Sequence, residues 1–94
     1  MTRIEHHDGQ ARPLLYCDVC GLPVYDAGWA MAAWRFGESR VYIAHKGDCL
    51  KRFERRFCPE GYTLATEELI AHLYYLARNY GLEAEEPAAL RGIL

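Results

Sequence analysis

Hydrophobic and polar positions alternate most regularly in the middle of the chain. Residues 29–36 and 40–45 are rich in aromatic, β-branched and small side chains, and Gly37 lies between them at a hairpin position. In the second of these segments Ile43 and His45 share one face, because successive side chains of a strand point to opposite sides. The pattern therefore predicts a two-stranded antiparallel ribbon, with His45 on the same side as core residues.

A short helix is predicted to follow this ribbon. Gly47 and Asp48 offer a turn and an N-cap, and apolar residues then recur at i, i+3 and i+7, which marks one side of a helix. This apolar stripe consists of Leu50, Phe53 and Phe57. Pro59 and Gly61 are expected to end the helix, because neither residue continues a helix readily.

A longer helix is predicted near the C-terminus of the chain. Thr66 would cap its N-terminus, the two glutamates that follow would favour its first turn, and Gly81 would close it at the C′ position. At about 100° per residue, one narrow sector of this helix is apolar, and we expect that sector to be its core face. The sector contains Leu69, Leu73, Leu76 and Tyr80.

These elements predict an α+β fold in one small domain, since 94 residues are too few for a second core. Residues 1–13 show neither helical nor strand periodicity and are expected to form a flexible arm, with regular structure beginning at Leu14. The domain is expected to span residues 14–81, with the C-terminal helix at 62–81. Residues 82–94 are expected to form an acidic tail.

The composition is that of an ordinary globular protein, with 51% hydrophobic and 26% charged residues. No apolar stretch approaches the length needed to span a bilayer, and the first residues lack the apolar block of a signal peptide. We therefore expect a cytoplasmic location and no membrane association. In that reducing compartment, four cysteines favour a metal site or free thiols over disulfides.

Two pairs of residues have the spacing of metal ligands. Cys17 and Cys20, followed by Gly21, form a metal-knuckle motif, in which two thiolates three positions apart converge on one ion and glycine relieves strain in the turn. His45 ends the second strand of the ribbon and Cys49 begins the short helix, so this pair can supply two further ligands. Together the two pairs predict a tetrahedral site with four protein ligands.

The order of knuckle, β-hairpin and ligand pair at a helix start resembles the treble-clef zinc fingers. The resemblance covers about residues 14–58 and depends on Cys17, Cys20, His45 and Cys49. It implies a structural Zn²⁺ held by three cysteines and one histidine. Because four protein ligands leave no open position on zinc, and no P-loop or nucleophile-elbow motif occurs, we expect a non-catalytic protein without a small-molecule substrate.

Other interpretations of the cysteines remain open at this point. Residues 16–26 resemble a rubredoxin knuckle, which would imply an iron centre and electron transfer, but a second such knuckle is missing. Thiol–disulfide exchange through Cys17 and Cys20 would normally require a thioredoxin-like βαβ unit, and four unpaired core cysteines would require no metal. Cys58 is left outside the site, because the eight residues that separate it from Cys49 rise about 12 Å along a helix.

Two surfaces are candidates for binding a macromolecule. On the short helix, four cations lie away from the apolar stripe: Lys51, Arg52, Arg55 and Arg56. They could bind nucleic-acid phosphates, although the net charge of -2 favours a merely solvated face. On the longer helix, Ile70, Tyr74 and Tyr75 lie outside the expected core sector and could contact a protein partner or a second copy of the chain. We expect a protein-interaction module, with nucleic-acid binding as the alternative.

Overall fold

Two antiparallel β-sheets and two α-helices form the part of the chain that the computed structural model describes, which comprises residues 1–57, 63–83 and 85–88. The two-stranded sheet pairs β1 (Thr2–His7) with β2 (Gln10–Leu15). The three-stranded sheet has the order β4-β3-β5, formed by β3 (Ala30–Arg35), β4 (Tyr42–His45) and β5 (Leu64–Glu68). The helices are α1 (Asp48–Phe57) and α2 (Leu69–Asn79), and a 3-10 turn, Ala27–Trp29, precedes β3.

The first sheet is a hairpin where the sequence predicts an arm without regular structure. β1 and β2 pair over their full length, from Thr2 with Leu15 to His7 with Gln10. The prediction that regular structure begins only at Leu14 is therefore wrong. Most side chains of this hairpin are exposed on both faces, so the sequence has no period-two alternation to reveal the backbone pairing.

The predicted ribbon is confirmed as β3 and β4, which pair from Ala30 with His45 to Ala33 with Tyr42. The opposite edge of β3 pairs with β5, a strand that the sequence did not predict. The expected helix start at Thr66 is therefore wrong, and α2 begins at Leu69. Hydrogen bonding to β3 overrides the local signal of a threonine followed by two glutamates, because tertiary pairing outweighs local propensity.

Small side chains in β3 allow layers to pack closely on both faces of this sheet. One face carries the main apolar cluster, which consists of Val24, Ala30, Ala32, Ile43 and Leu69. On the other face, the aromatic ring of Phe53 in α1 lies 5.0 Å from that of Tyr42 in β4, measured between ring centroids. Alternation along β3 and β4 thus places α1 and the main cluster on opposite sides of the sheet.

α1 follows the predicted pattern where it is described. Gly47 adopts a φ of +85°, a conformation that glycine tolerates best, and turns the chain from β4 into the helix at Asp48. Phe53 is 1% exposed and Leu50 is half-buried, as expected for the apolar stripe. The predictions for Cys58, Pro59, Gly61 and the Phe57 side chain fall outside the described residues.

α2 packs on the sheet with a different face from the predicted one. Leu69 is buried as expected, but Leu73, Leu76 and Tyr80 are 38%, 43% and 78% exposed, so the predicted core face is wrong. The buried and half-buried positions beyond the first residue include Ile70, Ala71, Tyr74 and Ala77. β5 leads directly into α2, so Leu69, the first residue of the helix, lies in the core. The small side chains of Ala71 and Ala77 allow the following turns of α2 to pack closely against the 3-10 turn and β3.

The C-terminal end of α2 confirms the predicted glycine cap. Gly81 has a φ of +75°, its N–H donates to the carbonyl of Arg78 over 3.0 Å, and the N–H of Leu82 donates to the carbonyl of Ala77 over 3.0 Å. These two hydrogen bonds form a Schellman motif. Much of the predicted 82–94 tail lies outside the described residues. Among the helices that are described, neither has the length and apolar character required to cross a membrane.

Candidate metal centre

Cys17 and Cys20 lie in a tight backbone turn. The N–H of Cys17 donates to the carbonyl of Leu22 over 2.9 Å, and the N–H of Gly21 donates back to the carbonyl of Cys17 over 3.0 Å. Gly21 has a φ of +75°, which side chains with a Cβ rarely adopt. The turn therefore needs glycine after the second cysteine, and it brings both thiols to the same side of the knuckle.

His45 and Cys49 complete the cluster from the end of β4 and the first turn of α1. The Sγ atom of Cys20 lies 3.4 Å from Nδ1 of His45, and the Sγ atom of Cys49 lies 4.0 Å from the same nitrogen. One ligand atom from each of the four residues, Cys17 included, lies within 4.8 Å of all the others. A tetrahedral ion with metal–sulfur bonds of about 2.3 Å requires sulfur atoms about 3.8 Å apart, so the donor atoms fit such an ion.

The ring of His45 is oriented by a backbone carbonyl. Its Nε2 lies 3.3 Å from the carbonyl oxygen of Pro23, which can only accept a hydrogen bond. The proton therefore belongs on Nε2, and the lone pair of Nδ1 faces the three thiols. A second hydrogen bond that selects the tautomer in this way is typical of metal-binding histidines.

Asp18 fastens the knuckle to β4, a role that the sequence did not reveal. Its Oδ2 accepts a hydrogen bond from the N–H of Ile43 over 2.7 Å, and its own N–H donates to the carbonyl of Ile43 over 2.7 Å. These two bonds hold Cys17 and Cys20 beside the end of the strand that carries His45. An aspartate between the two cysteines is the sequence feature that could have indicated this role. Only the fold identifies Ile43 as its hydrogen-bond partner.

The thiol of Cys17 is set up to ionise. Burial by itself raises its pKa, but backbone hydrogen bonds from Cys20, His45 and Val19 outweigh burial and lower the pKa from 9.0 to about 7. The N–H of Val19, for example, lies 3.4 Å from the sulfur. A thiolate, the form that binds metal, is therefore accessible near neutral pH.

The thiol of Cys49 shows the opposite behaviour. Burial, followed by the neighbouring Cys17 and Cys20 thiols, raises the pKa of Cys49 from 9.0 to about 12. Several thiolates that share one site repel each other, and only a cation allows all of them to ionise together. The electrostatics of the cluster therefore match a site for a divalent ion.

The fold places the residues of the two predicted binding surfaces, on α1 and on α2, in different environments. Of the four cations on α1, Arg52 and Arg56 line a cavity together with Arg40, whereas Lys51 and Arg55 do not line it. The three positions predicted for an interface on α2 also differ: Ile70 and Tyr74 are half-buried, and Tyr75 is exposed. These two surfaces stay predictions, because their binding partners are not part of the structure. Arg40 was not predicted, and its place beside the helix depends on the β3–β4 connection.

No protein-family model matches the chain, and searches of curated proteins and of solved structures gave no match. The function therefore has to be argued from the residues themselves. The firmest observation is the convergence of three cysteines and one histidine from three separate segments of the chain. This donor set is consistent with a structural metal site.

Proposed function

We propose that this protein is a non-catalytic, zinc-stabilised protein-interaction module of the cytoplasm. The observation that carries the proposal is the cluster of four donor atoms from Cys17, Cys20, His45 and Cys49. Four protein ligands fill a tetrahedral shell, so no position is left for a catalytic water. The knuckle, the β3–β4 hairpin and α1 follow each other in treble-clef order, and we assign residues 14–58 to that arrangement as part of the proposal.

Zinc is the metal that we expect to find. Three thiolates with one imidazole form a common structural zinc set, whereas rubredoxin-type iron uses four thiolates. Elemental analysis of protein purified without added metal should give one zinc per chain and little iron. A red protein that carries iron instead would contradict this assignment and favour electron transfer.

The proposed partner surface is the exposed side of α2, formed by Leu73, Leu76 and Tyr80. Exposed apolar residues at i, i+3 and i+7 form a stripe along the helix, which suits packing against another helix. The stripe continues into a groove of about 340 Å³ whose lining includes Val41, Tyr75 and Leu76. A contiguous apolar surface of this kind is typical of interaction sites.

We assign this surface to a second copy of the chain, on the basis of charge complementarity. Glu67 and Glu68 precede the N-terminus of α2, and Arg78 lies in its last turn. Antiparallel pairing of two α2 helices would place each Arg78 near the acidic end of the other helix and would oppose the two helix dipoles. On a larger scale, residues 35–56 carry a net charge of +4 and residues 57–94 carry -4.

Replacing Leu76 with glutamate is expected to dissociate this dimer. Each leucine side chain that leaves a buried contact costs about 1.5–3 kcal/mol, and two-fold symmetry removes two of them, so association should weaken by about 100-fold or more. Analytical ultracentrifugation over a dilution series would measure the change. Ile4→Glu is the matched control, because Ile4 is an exposed apolar residue of β1. A wild-type protein that stays monomeric at high micromolar concentration would rule out self-association through α2.

Nucleic-acid binding through Lys51, Arg52, Arg55 and Arg56 stays the alternative prediction. All four side chains are exposed, but only Arg52 and Arg56 line the cavity, whereas Lys51 and Arg55 do not. A duplex or single strand is bound best by cations that follow its backbone as a continuous track. The division of the four cations therefore favours the protein-interaction proposal.

A further inference from the structure

A cavity of about 500 Å³ lies beside the metal centre, between the knuckle, the β3–β4 connection and α1. Three of its lining residues are arginines: Arg40, Arg52 and Arg56. Arg52 and Arg56 are four positions apart on α1, so their side chains project from the same side of the helix. Arg40 approaches from the connection between the two strands. The cavity thus gathers guanidinium groups from two separate segments of the chain.

Basic residues outnumber acidic ones in the described part of the cavity lining. Asp18 is the acidic lining residue, and its Oδ2 already accepts the hydrogen bond from the N–H of Ile43. Among the described residues of the lining, three are arginines and one is an aspartate. A ligand that enters this space is therefore expected to be an anion, because a concave site of one sign focuses the field on its interior.

The aromatic residues of the cavity pack against an arginine and against each other, so they do not present a free ring face on which a nucleobase could stack. The guanidinium carbon of Arg40 lies 4.7 Å from the ring centroid of Tyr42. Phe53 packs against the same tyrosine at an interplanar angle of 50°. Stacking on an aromatic ring orients a guanidinium group and leaves its N–H donors directed to the sides. The geometry therefore favours recognition of charge over recognition of a nucleobase.

We propose that this arginine cavity binds a phosphate monoester. A guanidinium group forms paired hydrogen bonds with phosphate oxygens, and three such groups match the three terminal oxygens of a monoester better than the two of a diester. A monoester carries a charge of about -1.5 to -2 at neutral pH, which complements the excess of arginines in the described lining. The cavity volume of about 500 Å³ exceeds that of a phosphate group alone, so part of the attached group would also have room.

A nucleic-acid backbone fits this cavity less well. Lys51 and Arg55 lie on α1 but do not line the cavity, so the arginines that do line it form a compact group and not a continuous track. The phosphodiester groups of a nucleic acid carry one charge each and need contacts spaced along the strand. A single concave site with three arginines therefore points to one compact dianion, carried by a small molecule or by a phosphorylated side chain.

Calorimetric titration of the zinc-loaded, full-length protein with methyl phosphate and dimethyl phosphate tests the proposal. At low ionic strength, the monoester should bind saturably and more tightly than the diester. The double variant Arg52→Gln/Arg56→Gln should weaken monoester binding by about 100-fold, because each of the two lost charged hydrogen bonds costs about tenfold in affinity. The control variant Lys51→Gln/Arg55→Gln removes the same charge from the same helix and should change affinity by less than about threefold.

Arg40→Lys provides a second test that leaves α1 intact. It keeps the positive charge but removes the planar fork, so the monoester should bind several-fold more weakly. Circular dichroism and metal content would establish that every variant is folded. Parallel titrations with a hexose phosphate and with a phosphoserine peptide identify the source of the ligand, and tight binding of either supports the proposal.

Three results would overturn the arginine cavity as a phosphate monoester site. The first is the absence of saturable binding by any monoester at low ionic strength. The second is equal weakening by the two double variants, since that would indicate diffuse attraction to a basic helix. The third is preferential binding of a single-stranded oligonucleotide that depends equally on all four cations of α1, which would restore the nucleic-acid alternative.

Discussion

Replacing Cys49 with serine is expected to abolish tight metal binding and to unfold the protein. Structural zinc contributes about 10–16 kcal/mol in zinc-finger peptides near neutral pH, whereas a core of this size rarely supplies more than about 3–5 kcal/mol. The largest fully buried side chains among the described residues are Phe53, Leu69 and Cys17, and the last of these belongs to the candidate metal centre. Elemental analysis, near-ultraviolet circular dichroism and thermal melting would report the loss together.

Two further ways of removing the metal should have the same effect on the wild-type protein. A strong chelator should abolish the folded spectrum, and added zinc should restore it. Acid should also release the metal, because Cys49 keeps its proton up to a pKa of about 12 in the metal-free site and metal must displace that proton. The pKa of Cys17 is lowered to about 7, so its thiolate favours the folded state at higher pH and this contribution is lost as the pH falls through 7.

Cys58→Ser is the matched control for the loss of a thiol. The sequence places Cys58 outside the site, so this variant should keep one zinc per chain and should melt close to the wild-type temperature. If Cys49→Ser melted at the same temperature as the wild-type protein without a chelator, or if a chelator left the melting of the wild type unchanged, the metal would have no structural role, and the proposed module would lose its basis.

The cluster of the candidate metal centre could be predicted from the sequence because its determinants are local. The knuckle depends on two cysteines three positions apart and on Gly21, and the second ligand pair depends on the turn between β4 and α1. In both pairs, residue types that bind metal ions well occur at short spacings in the sequence. Only the convergence of the two pairs on one point requires the tertiary fold. The contacts of Asp18 and Pro23 with Ile43 and His45 could not be predicted, since both depend on how the knuckle packs against β4.

The main errors in the predicted fold have a common physical origin. β5 and the N-terminal hairpin are edge strands with few buried side chains, so backbone pairing stabilises them without a clear hydrophobic pattern. The face of α2 was predicted from its leucines, but the helix packs through smaller residues such as Ala71 because β5 fixes where the helix begins. Leu73 and Leu76 remain exposed as a result, and they form part of the proposed dimer surface.

The metal centre and the arginine cavity share their supporting elements. The knuckle supplies Asp18 to the cavity lining, and α1, which begins beside Cys49, supplies Arg52 and Arg56. An ion that joins the knuckle to the start of α1 therefore also fixes the distance between opposite walls of the cavity. In this proposal, zinc affects phosphate binding only by holding the walls of the cavity in place, and it does not contact the ligand, as expected for a structural metal.

Phe53→Ala is expected to produce the largest destabilisation of any single substitution that leaves the metal ligands intact. Phe53 is 1% exposed, and its ring packs against Tyr42 between α1 and the sheet. Truncating a buried phenylalanine to alanine costs about 3–5 kcal/mol, because the removed ring leaves a cavity that its surroundings fill only in part. With about 4–8 °C of melting temperature lost per kcal/mol in a domain of this size, the zinc-loaded variant should melt more than 12 °C lower.

Phe36→Ala is the control for this substitution, since Phe36 is the same residue type but is 72% exposed. A surface change of this kind should alter stability by no more than about 0.5 kcal/mol. The zinc content of Phe53→Ala should stay at one per chain, because the ligands themselves are unchanged, while its affinity for methyl phosphate should fall as Tyr42 and Arg40 lose their support. Equal melting temperatures for the two alanine variants would show that α1 is held to the sheet by the metal alone, with no contribution from the aromatic contact.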